Sequence, residues 1–195
     1  MPPESRFPGA TVPWACLYSR FDERMGIPHK RGSTHFPLWH GASLHQEVTV
    51  SIQQLTAEEA HAQMTQDQHI VYLDVRTVPE FEAGHPPAAL NIPVVVPNPA
   101  LRKMVPNPDF LSAAEATVPK DAKIIVGCMS GGRSQFAAEV LEDAGYQHVA
   151  NLQGGFGGAR DQMGRLLVPG WQDHGLPEEA GDGGERSYEA LAKRR

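Results

Sequence analysis

Cysteine is nearly missing from this chain: Cys16 and Cys128 are all that 195 residues hold. Two are too few for a disulfide framework, and without a CxxC spacing they offer no metal or redox pair. Positive charge is also scarce, with 17 Lys and Arg against 23 Asp and Glu and a net charge of -6. That balance argues against the electrostatic footprint of a nucleic-acid binder. No run approaches the roughly 18 apolar residues of a membrane span. Where a secretory signal would carry its apolar stretch, the chain has Pro2, Pro3, Pro8, Pro13, Asp22 and Glu23. These absences lead to the expectation of a cytoplasmic protein with reduced thiols and with neither nucleic acid nor membrane as a partner.

What is present suffices for one sizeable core, since 41% of the residues are hydrophobic and 21% charged. Residues 1–47 are rich in Pro, Gly and His and show no periodicity, so they read as an N-terminal extension. An alternating pattern begins at 48–52, and a domain is expected over 48–178, followed by a polar, flexible C-terminal tail over 179–195.

Within the domain, Thr56-Ala57-Glu58-Glu59 reads as a capping box that opens a helix through Met64. Residues 70–74 read as a buried strand, 79–83 as a short helix and 89–93 as a short strand. The four prolines between 97 and 108 predict a loop, and 109–116 a return to helix. Residues 123–127 form the clearest central strand, and Phe136, Ala137, Val140 and Leu141 mark one face of a helix over 134–144 that Gly145 stops. A strand over 148–152, the glycine run 154–158 and a last helix complete the pattern. Strands alternating with helices at this spacing predict an α/β domain, with a central parallel sheet of about five strands flanked by helices.

Cys128 stands in Gly127-Cys128-Met129-Ser130-Gly131-Gly132-Arg133-Ser134, between the central strand and a helix. Ligands bind open α/β sheets at that edge. Free N–H groups and the positive end of the helix dipole favour an anion there, and Arg133 adds a full charge. These are the conditions under which a thiolate is favoured over a thiol. Gly131 and Gly132 let successive N–H groups turn inward.

Strand, Cys-x-x-Gly-x-Arg-Ser and helix resemble the active-site loop of the single-domain rhodaneses. Leu73-Asp74-Val75-Arg76, Glu80-Phe81 and Gly84-His85 resemble that family's first signature. Leu152-Gln153-Gly154-Gly155 and Gly175-Leu176-Pro177 resemble its closing segment. The resemblance implies a thiosulfate sulfurtransferase-like enzyme without cofactor or metal. In it, Cys128 takes sulfur from thiosulfate or a related donor as a persulfide and passes it to a thiol or cyanide. The N–H groups of Met129, Ser130, Gly131, Gly132, Arg133 and Ser134 then hold the persulfide, and Arg133 helps to bind the donor. The alternative within this resemblance is a persulfide carrier in a sulfur relay, or a rhodanese-like interaction module with little thiosulfate turnover. Related cysteine phosphatases and arsenate reductases hold their oxyanion in Cys-x5-Arg, whereas four residues separate Cys128 from Arg133.

Blander roles compete for several of these residues. Cys128 can be a core thiol, and Arg133 can pair with a carboxylate, although anion binding accounts better for its place. Asp74 and Arg76 read as structural groups near the site, Asp74 as a hydrogen-bonding anchor and Arg76 as the ion-pair partner of Glu80. His85 reads as a structural histidine. Cys16 reads as an apolar packing residue, and the spacings of His29, His35, His40 and His45 match no zinc pattern. The glycine run 154–158 lacks the spacing of a nucleotide loop and reads as tight packing beside the Cys128 loop. Residues 164–170, with Arg165, read as an added flap.

Overall fold

The structure, a computed structural model, describes residues 52–194. The expectations for the N-terminal extension, for Cys16, for the four histidines and for a strand at 48–51 lie outside those residues.

Strand β1 (Gln53–Leu55) leads through Thr56 into helix α1 (Ala57–Gln66). The capping box forms as predicted: Glu59 N donates to Thr56 Oγ1 at 3.2 Å, and Thr56 N donates to the Glu59 carboxylate at 2.9 Å. There follow β2 (Val71–Asp74), the short α2 (Val78–Glu82), β3 (Leu90–Asn91), β4 (Val95–Asn98), β5 (Lys103–Pro106) and α3 (Phe110–Thr117). Then come β6 (Lys123–Gly127), α4 (Gly132–Asp143), β7 (His148–Leu152), β8 (Ala159–Arg160), β9 (Leu166–Val168) and α5 (Tyr188–Ala192).

Five strands form one sheet in the order β1-β7-β6-β2-β3, every pair parallel. This is the α/β architecture the sequence predicts. The run Ile124-Ile125-Val126 lies in the middle of it, buried on both faces, which is why it shows no alternation of polar and apolar residues. One face packs Leu55, Ala57, Ala60, Tyr72, Ile125 and Leu152 against Trp171 and Phe156.

Three stretches depart from expectation. The proline-rich segment is not a loop but an antiparallel ribbon of β4 and β5, with Pro97 opposite Met104 and Pro106 opposite Val95. A two-stranded ribbon leaves each strand an unpaired edge, where proline's missing N–H costs little. The predicted last helix is instead the hairpin β8–β9. Asp161 Oδ1 accepts from the N–H groups of Met163 and Arg165, both at 2.9 Å, and this turn outcompetes a helix. The described part of the C-terminal tail packs on the domain, where a loose polar segment was expected. Glu179 and His85 exchange two backbone hydrogen bonds at 2.8 Å, and α5 buries Leu191 completely while meeting α3 and β3.

Candidate active site

Cys128 follows β6 at the carboxyl edge of the sheet and is 1% exposed. The residue before it has no side chain for a spatial reason: a Cβ on Gly127 would collide with the Tyr72 hydroxyl. Beyond Cys128 the chain reverses through Gly131, whose φ of +98° lies in the left-handed region open to glycine. That turn directs the Gly131 N–H to Cys128 Sγ at 3.1 Å. Ser134, in the first turn of α4, places Oγ 3.3 Å from Sγ and 3.1 Å from the Gly131 carbonyl oxygen. Its single hydroxyl proton can serve one of the two at a time.

The glycine run grips the same loop from the other side. Phe156 N donates to the Cys128 carbonyl at 2.7 Å, and Gly157 N to the Met129 carbonyl at 2.8 Å. These bonds occupy both carbonyls. Gly155, at φ +62°, can carry no Cβ because it would strike the Cys128 carbonyl oxygen. Here the expected packing role of residues 154–158 has its geometry.

Asp74 and Arg76 stand one layer back. Arg76 is 1% exposed. Its Nε and Nη2 donate to the Asp74 carboxylate at 2.6 to 3.0 Å, and Nη2 also donates to the Gly84 carbonyl at 2.7 Å. The guanidinium lies 4.2 Å from the centroid of the Phe156 ring, so this pair braces the residue that holds the Cys128 carbonyl. The predicted partner was different. Arg76 pairs with Asp74, not with Glu80, because a two-residue separation at the end of β2 brings their side chains onto one buried face.

Glu80 pairs with Arg133 instead. Arg133 Nη1 and Nη2 donate to its two carboxylate oxygens at 2.9 and 2.7 Å. Thr77 adds Oγ1 at 2.6 Å and its backbone N–H at 3.0 Å. Burial raises the Glu80 pKa, but the bonds from Arg133 and Thr77 outweigh it and pull the group down to about 2. The hydrogen bonds to Glu80 in turn hold the Arg133 guanidinium above its ordinary value, and the nearby Cys128 adds to that. Of the two roles the sequence leaves to Arg133, anion binding and pairing with a carboxylate, the pairing is present. The charge of Arg133 is met by a carboxylate, a partner 53 positions away that no local pattern announces.

His85 stacks on Phe81 at 3.7 Å and donates from Nδ1 to the Phe81 carbonyl at 2.9 Å, a structural use. Tyr72 was not anticipated. Its hydroxyl is buried with no hydrogen-bond partner among the described residues. Burial, followed by the nearby Asp74 and Cys128, pushes its pKa well up. The one sequence signal for it was a glycine immediately before Cys128.

The chain is 38% identical over 109 residues to thiosulfate sulfurtransferase 16, chloroplastic, of Arabidopsis thaliana, covering 56% of this chain and 79% of that protein. Against protein HIGH ARSENIC CONTENT 1, mitochondrial, of the same plant, it is 47% identical over 85 residues, covering 44% of this chain and 49% of the relative. The chain thus spans about half the length of that relative. The crystal structure of Rv0390 from M. tuberculosis superposes with a TM-score of 0.56 at 27% identity, covering 66% of this chain and 98% of that one. The expected cytoplasmic location is corrected by these relatives, which are named mitochondrial and chloroplastic. The secretory-type apolar stretch that the expectation relied on is a different signal from an organelle transit sequence. No helix among the described residues is long and apolar enough to cross a membrane. The family model of the rhodanese-like domain matches residues 56–161, more than half of the 195 residues, and the chain belongs to that family.

Proposed function

We propose that the protein is a sulfurtransferase whose domain, residues 48–178, moves sulfane sulfur through a persulfide on Cys128. The donor is thiosulfate or a related compound, and the acceptor is a thiol or cyanide. The observation that carries this reading is the Gly131 N–H aimed at Cys128 Sγ, 3.1 Å away, in a loop whose carbonyls are drawn off by Phe156 and Gly157. With the Cys128 and Met129 carbonyls engaged elsewhere, the N–H groups of the loop make a surface suited to a sulfur anion.

In the first step the Cys128 thiolate attacks the outer sulfur of thiosulfate. A new S–S bond forms, the old one breaks, and sulfite leaves with the electron pair. In the second, cyanide attacks the outer sulfur of the persulfide, thiocyanate departs, and the thiolate returns. Each step is a two-electron displacement at sulfur with no net change of oxidant or reductant, so the scheme calls for no cofactor. The N–H groups of residues 129–134 hold the outer sulfur, and Asp74 with Arg76 keeps the loop in register.

A partner-fed persulfide carrier with little thiosulfate turnover is the second reading, favoured by the ion pair that engages Arg133. Both are tested by intact-protein mass after incubation with thiosulfate, before and after a thiol reductant. A reductant-reversible gain of one sulfur atom that vanishes in Cys128→Ser supports the enzyme. A gain with a persulfide donor and none with thiosulfate supports the carrier. No gain with either donor overturns both. Because one relative is named for arsenic content, arsenate reduction belongs in the same assay, although Cys128 and Arg133 lack the spacing of an arsenate loop.

A further inference from the structure

We propose that Glu80 sets the donor preference of this site: its bidentate pairing with Arg133 selects sulfur donors of low charge, such as persulfide groups on thiols, over the thiosulfate dianion. This rests on the assignment of sulfur transfer to Cys128.

The charges around the loop cancel in pairs. Arg133 donates to both carboxylate oxygens of Glu80, and Arg76 donates to both of Asp74. Glu80 cannot swing aside cheaply, because Thr77 holds it from the other direction through its hydroxyl and its backbone N–H. A carboxylate with four such bonds stays ionised and in place. What remains to meet a donor is a set of N–H dipoles, which attract negative charge without carrying any.

Donors differ in how much of that attraction they need. Thiosulfate brings two negative charges to a thiolate, and sulfite leaves with two. A protonated persulfide, RS–SH, brings none: the thiolate attacks the outer sulfur, the S–S bond breaks, and RS⁻ leaves with the electron pair while Cys128 becomes the persulfide. A site with no net cation therefore penalises the first donor far more than the second.

Glu80→Gln isolates the charge. Glutamine at this position retains the capping box of α2 and an oxygen for Arg133, but leaves the guanidinium charge unbalanced. Two donors that undergo the same attack report on it, thiosulfate with two charges and methanethiosulfonate with one. The variant should raise kcat/KM about tenfold for thiosulfate and about threefold for methanethiosulfonate, the gain following donor charge. Both gains should shrink from about 20 mM to about 500 mM salt, and the double variant Glu80→Gln/Arg133→Gln should lose them. Equal changes for the two donors, or a fall for thiosulfate, would overturn the proposal while leaving sulfur transfer at Cys128 intact. If neither of these donors nor a thiol persulfide loads sulfur onto the folded wild type, the Cys128 assignment fails and the donor preference with it. Should the variant not fold, the wild type decides: its thiosulfate kcat/KM should vary less than about twofold over that salt range, and a steep decline would show that Arg133 already acts as a free cation.

Discussion

At the scale of single residues, the side chains around Cys128 are held by partners more than by their own conformational preferences. Arg76 is the clearest case, since a guanidinium at 1% exposure is tolerable only because Asp74 and the Gly84 carbonyl satisfy it. Asp74→Ala should therefore cost roughly 3–5 kcal/mol, the penalty of leaving a buried charge unpaired, read as a shifted urea midpoint. Glu80 carries a pH signature. Its folded pKa of about 2 lies below its ordinary 4.5, so the unfolded chain takes up the proton more readily. The stabilisation is complete above pH 4.5 and is lost as pH falls towards 2. Denaturation midpoints compared at about pH 6 and about pH 3 should fall less for Glu80→Gln than for the wild type.

At the scale of elements, the parallel strands and the long helix were legible because each writes its burial into a run or a stripe. Residues 123–127 and 148–152 form strands with the bounds the pattern predicts. The two hairpins were not legible. Proline counts argue against any strand, and only the pairing of β4 with β5 shows that both strands have an edge to spare. The glycine run is the element that clamps the Cys128 loop, and one of its members, compared with a glycine outside it, allows a controlled test. Gly155 and Gly164 both have positive φ, at +62° and +78°, but a Cβ on Gly155 meets the Cys128 carbonyl while one on Gly164 meets nothing. Both Gly→Ala changes should cost roughly 1–3 kcal/mol of backbone strain. Gly155→Ala alone should also reduce sulfur loading, measured by intact mass beside a thermal melt.

At the scale of the whole molecule, the sheet order puts β6 between β7 and β2, so Cys128 emerges from the centre of the carboxyl edge with support on both sides. The C-terminal segment belongs to the same body. Its polar composition suggested a loose tail, yet Leu191 is fully buried and Tyr188 Oη receives a hydrogen bond from Asn107 Nδ2 at 3.0 Å. A five-residue helix with a single buried side chain, Leu191, is too little signal to read from composition. Leu191→Ala should cost roughly 2–5 kcal/mol through the cavity it leaves, seen in chemical denaturation, while sulfur loading of the folded protein stays at the wild-type level.

The amino-acid sequence alone determined the α/β class, the central strand, the capping box, and a cysteine loop opening a helix, because each is a local pattern of burial, capping or chain reversal. Only the tertiary structure decided which charge meets which. Arg133 finds Glu80 and Tyr72 reaches Gly127 because sheet pairing brings together elements separated by many residues, and Arg76 keeps to Asp74, two residues away, while Glu80 is engaged elsewhere. A cysteine singled out by its neighbours in the chain thus has the charges around it set by neighbours in space.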